Sequence, residues 1–77
     1  MNETNKRDRS KKFIELAEKR VNRVLNDIKL ISNLSNRSNY EYSSKQAMKI
    51  IRVIDEEVKR MKMQFNKNIK KDKKFKL

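Results

Sequence analysis

Ile14, Ala17, Val21, Val24, Ile28 and Ile31 recur at alternating steps of three and four, and Ala47, Ile51, Ile54, Val58, Met61 and Phe65 repeat the alternation further along the chain. A helix completes a turn in about 3.6 residues, so this spacing lines one side of a helix with apolar side chains, whereas a strand needs a period of two. The spacing is a heptad seam, which must be covered by another seam to be stable. Three oppositely charged pairs, Glu15 with Lys19, Asp55 with Lys59 and Glu56 with Arg60, stand four residues apart in the order that favours helix.

Between the two runs lies NLSNRSNYEY, residues 33–42, which follows neither period. The chain has no glycine and no proline, so the turn falls to Asn and Ser, which suit turn positions, Asn also tolerating the left-handed terminal position of a helix. Ser43 opens the pattern S-x-x-Q with Gln46, a capping-box signature that starts the second helix near Ser44. The expected organisation is a basic N-terminal arm (residues 1–9), a helix (10–34), a loop (35–43), a second helix (44–66) and a lysine-rich tail (67–77). The expected fold is all-α: an antiparallel two-helix hairpin that self-associates into a four-helix bundle, with a disordered basic C-terminal tail. Each helix would be roughly 35 Å long.

A chain of 77 residues with 35% hydrophobic composition buries only a thin core by itself, because small domains hide a small fraction of their surface. Without cysteine or histidine there is no thiolate, no disulfide framework, no standard zinc site and no imidazole base. No paired nucleophile and base, phosphate loop or metal-ligand spacing is present, so no catalytic residue, metal or cofactor is expected. Asp55, Glu56 and Glu57 are consecutive, but neighbours on a helix diverge by about 100° and do not converge on one ion. No window reaches the roughly 20 apolar residues of a bilayer span, and the first residues lack the apolar core of a signal peptide, so the expected setting is the cytoplasm without a membrane.

The net charge is +12. Residues 1–12 carry five cations against two acids and residues 66–77 six against one, so the ends hold most of the excess. An antiparallel hairpin would bring those ends to one pole. Arg7, Arg9, Lys11, Lys12, Lys67, Lys70, Lys71, Lys73, Lys74 and Lys76 are therefore candidates for non-specific binding to the phosphates of DNA or RNA. Nothing resembles a helix-turn-helix or a basic zipper. Phe13, Leu16, Leu30, Leu34, Ile50 and Val53 lie beside the seams and would form an additional apolar face for a second copy or a larger protein partner. Met61 sits in the seam and reads as core, whereas Met63 lies off it.

The loop has two compatible readings. In the structural one, Asn36 and Asn39 turn the chain, Tyr40 and Tyr42 pack over the helix ends and Arg37 pairs locally. In the other, Asn36, Arg37, Asn39, Tyr40 and Tyr42 form a partner-binding knuckle of aromatic and hydrogen-bonding groups.

The stretch FIELAEKRVNRVLNDIKLISNLSNRSNYEYSSKQAMKIIRVIDEE, residues 13–57, resembles a group of small bacterial proteins built as a helix, an NLSNRSNYEY-type loop and a second helix. The resemblance implies that architecture and supplies no catalytic residues. Lys45 and Gln46 stand where it implies acidic residues, and the lysine-rich end lies outside it. The function expected is that of a small basic accessory protein binding nucleic acid mainly through phosphates. The alternative is a protein-interaction module that docks a larger partner through the loop and the apolar face.

Overall fold

The structure, a computed structural model, describes residues 3–69, with side chains from residue 8 onward. Those residues form two helices, α1 (Glu3–Asn33) and α2 (Ser44–Ile69), and contain no strand. The chain divides into two units, Met1–Glu41 and Tyr42–Leu77. No helix among the described residues is long and apolar enough to cross a membrane.

In the first unit, α1 begins at Glu3 rather than at residue 10, so residues 3–9 are helical and do not form a separate arm. Apolar periodicity could not reveal these turns because it starts at Phe13. Lys, Arg and Glu are good helix formers, and acids near a helix N-terminus complement its partial positive charge. At about 1.5 Å per residue, α1 is roughly 46 Å long. It ends at Asn33 by tightening: the N–H groups of Leu34, Ser35 and Asn36 donate to the carbonyls of Ile31, Ser32 and Asn33 at 3.0, 3.0 and 3.3 Å. These three-residue steps satisfy carbonyls that would otherwise lack partners at a helix end. Ser32 Oγ also donates to the Ile28 carbonyl, at 2.9 Å.

The second unit opens with the capping box that the S-x-x-Q spacing predicts. Ser43 Oγ accepts the Gln46 N–H at 3.1 Å, Gln46 Oε1 accepts the Ser43 N–H at 2.9 Å, and the Ser43 carbonyl accepts the Ala47 N–H at 3.1 Å. The carboxylate of a standard box is replaced by an amide oxygen, and no acid occupies the first turn. α2 continues to Ile69, past the expected end at 66, so residues 67–69 belong to the helix and not to the tail. Lys67 in the last turn complements the negative helix end, and Asn68 Nδ2 donates to the Gln64 carbonyl at 2.9 Å. Residues 70–77, and with them most of the expected tail, lie outside the described residues.

Ion pairs join Lys59 to Asp55 at 3.5 Å and Arg60 to Glu57 at 2.8 Å. Arg60 takes the acid three residues away instead of Glu56, four away; both distances place residues on neighbouring positions of a helix surface.

No described residue is buried. Leu16 and Ala17 in the first unit, and Tyr42, Ala47 and Ile54 in the second, are half-buried. The remaining seam residues are exposed, from 36% at Ile31 to 64% at Ile51. Met61, expected in a core, is 53% exposed. Most of the seam is therefore exposed on each helix, and none of it is buried.

Candidate functional site

The loop is organised by Asn36. Its Oδ1 accepts the Ser38 N–H at 2.9 Å, and its carbonyl accepts the N–H groups of Asn39 and Tyr40 at 3.1 and 3.0 Å. Its own N–H donates to the Asn33 carbonyl. One residue thus closes the end of α1, bridges to Ser38 and holds the turn as far as Tyr40. An Asn side chain that accepts the N–H two residues ahead imitates a backbone turn, so the bend needs no unusual backbone angle. Among the described residues none has positive φ. The expected left-handed asparagine is therefore absent from them, and hydrogen bonding does the work instead. Ser38 lies in the expected loop but not among its candidate partner-binding residues; the N-x-S spacing of Asn36 and Ser38 is the signal that points to it.

These bonds bring Asn36, Asn39 and Tyr40 together. Tyr40 remains 48% exposed, whereas Tyr42 is half-buried. Asn36, Arg37 and Asn39 are exposed. The first unit thus presents an amide, a guanidinium and a phenol on a segment whose backbone is held locally.

The apolar face divides between the units. In the first, Phe13, Leu30 and Leu34 are exposed and Leu16 is half-buried; in the second, Ile50 and Val53 are exposed. By helical rotation of about 100° per residue, Leu16 and Leu30 lie within roughly 40° of each other on α1, with Leu34 just beyond its end, and Ile50 and Val53 lie within roughly 60° of each other on α2.

Of the candidate phosphate ligands, Arg9, Lys11 and Lys12 are exposed on α1 and Lys67 is exposed in the last turn of α2. Arg7 lies within α1, but its side chain is outside the described residues. Lys70, Lys71, Lys73, Lys74 and Lys76 also lie outside them. Among the described residues no three His, Cys, Asp or Glu side chains group as metal ligands. Asp55 and Glu57 are instead engaged by Lys59 and Arg60.

Comparison with protein-family models, with curated proteins and with solved structures finds no match to this chain.

Proposed function

We propose that this protein is a small basic accessory protein that binds DNA or RNA mainly through phosphates, without catalysis and without reading base sequence. The observation that carries this reading is uncompensated positive charge: the net charge is +12 over 77 residues. Arg9, Lys11 and Lys12 are exposed on α1 and make no ion pair among the described residues. Cations that neutralise phosphates release condensed counterions, which drives binding without base contacts.

The fold that accompanies this reading is an antiparallel hairpin of α1 and α2, paired with a second copy in a four-helix bundle. It is supported by the apolar stripe on each helix and by the short connection, residues 34–43, since short links favour antiparallel neighbours. Helices in proteins draw most of their stability from covering such a stripe.

Fluorescence anisotropy with labelled duplex DNA and RNA tests the reading. Binding is expected at about 50 mM salt and micromolar protein, weakening steeply as salt rises. An absence of binding under those conditions would overturn it.

A second reading is favoured by Tyr40, which stays exposed on a locally held loop. Here the loop, with Leu30, Leu34, Ile50 and Val53, docks a larger protein. Truncation after Phe65 should weaken nucleic-acid binding, leaving the cations of α1 in place, and spare protein docking; Arg37→Ala with Tyr40→Ala should abolish docking and spare nucleic-acid binding.

A further inference from the structure

Residues 13–65 are only mildly basic in sum, but α1 separates its charges by side. Arg9, Lys12, Lys19, Arg20 and Arg23 fall within an arc of about 100° when the helix is rotated by about 100° per residue. Glu15 and Glu18, the acids of that stretch, fall outside the arc. The stripe extends about 21 Å along the axis. All five cations are exposed, and among the described residues none has an ion-pair or hydrogen-bond partner. The centre of the stripe is rotated by roughly 120° from the apolar seam of the same helix. Covering the seam therefore leaves the stripe in water.

We propose that this stripe is the surface along which α1 follows a nucleic-acid backbone, so that the phosphate site includes Lys19, Arg20 and Arg23 in addition to the chain ends. The proposal rests on the nucleic-acid reading and deepens it. A ladder of cations on one side of a rigid helix complements a polymer whose negative charge repeats along its length. Three of the five are arginines, whose planar guanidinium can donate two parallel hydrogen bonds to a phosphate. The stripe also confines the apolar face of α1. Leu16 lies within it, so a second copy seated there would bring cations against cations, and protein contact falls to Leu30 and Leu34 nearer the loop.

The test compares two full-length variants with equal loss of charge. One carries Lys19→Gln, Arg20→Gln and Arg23→Gln; the other carries Lys29→Gln, which lies outside the arc on α1, with Lys49→Gln and Lys62→Gln on α2. Glutamine is a good helix former, and circular dichroism checks that helicity is retained. Should the first variant lose helicity, Arg20→Lys with Arg23→Lys, which keeps the charge but not the fork, serves in its place and should weaken binding. Binding to labelled duplex DNA is measured from about 50 to 200 mM salt. Loss of three phosphate contacts should make the slope of log affinity against log salt shallower by about 2.7, with little change in the control. Equal change in both variants would mean that binding follows net charge and would overturn the stripe. Binding unaltered by the stripe substitutions would also overturn it while leaving the nucleic-acid reading standing. No binding by the unsubstituted protein would overturn both.

Discussion

Ser43 and Gln46 exchange two hydrogen bonds at the start of α2, each side chain accepting the other residue's backbone N–H, at 3.1 and 2.9 Å. The exchange satisfies two donors that a helix start leaves without intrahelical partners. Ser43→Ala should cost about 1 kcal/mol, measured by urea unfolding at fixed protein concentration. Gln46→Glu keeps the acceptor and adds a negative charge to a first turn that has none. It should therefore stabilise the protein by about 0.3–1 kcal/mol at low salt. If Gln46→Glu lowered the unfolding midpoint, the described cap would be wrong.

Asn36 gives a prediction that separates hydrogen bonding from backbone strain. At a left-handed position Asn→Gly is neutral or favourable, because glycine adopts positive φ freely. No described residue has positive φ, and the Asn36 side chain accepts the Ser38 N–H. Asn36→Gly should thus cost about 1–2 kcal/mol, combining a lost hydrogen bond with a more flexible unfolded chain. Asn36→Asp retains the acceptor and should cost less. An Asn36→Gly protein as stable as the original would mean that the side chain does not hold the turn.

Stability should depend on concentration. Helices of 31 and 26 residues without a buried residue among those described gain little from their seams until the seams are covered. Thermal melts should move to higher temperature as protein concentration rises, as expected when association favours the folded state. Sedimentation equilibrium should give at least twice the 9.4 kDa chain mass at high micromolar concentration. Leu30→Glu should reduce the mass if the apolar side near the loop forms the contact. A folded monomer with a concentration-independent melt would remove the bundle from the proposal.

The ion pairs of α2 should matter little. The side chains of Asp55, Lys59, Glu57 and Arg60 are 61–73% exposed, and pairs of that kind contribute a few tenths of a kcal/mol, screened by salt. Asp55→Asn and Glu57→Gln should each change unfolding free energy by less than about 0.5 kcal/mol. Removing both acids also raises the net charge, so nucleic-acid affinity should rise slightly even though neither residue belongs to the proposed site. A loss of more than about 1 kcal/mol from either substitution would show that the acid holds something beyond its ion pair.

Local features were the legible ones. The seam from Ile14 to Ile31 and the seam from Ala47 to Phe65 announced the helices because helix period is a property of neighbouring residues. Ser43 and Gln46 announced the cap because both of its hydrogen bonds span three residues. The helix within residues 3–9 of the expected arm, residues 1–9, is not legible from periodicity because no apolar residue marks it, although the composition favours helix. Arg60 choosing Glu57 over Glu56 was not legible either, since positions three and four residues away lie at similar distances on a helix surface.

By itself, then, the sequence determined the two helices, the capped start at Ser44, the position of the turn and the excess of positive charge, all of which arise from the local run of residue types. Three-dimensional structure decided how Asn36 makes the turn, by side-chain and carbonyl bonds instead of positive φ. It also decided that seam residues such as Val24, Ile51 and Met61 remain exposed. A heptad pattern states which side of a helix requires covering; whether that side is covered depends on groups distant along the chain or on another molecule, and neither can be read from the spacing of neighbours.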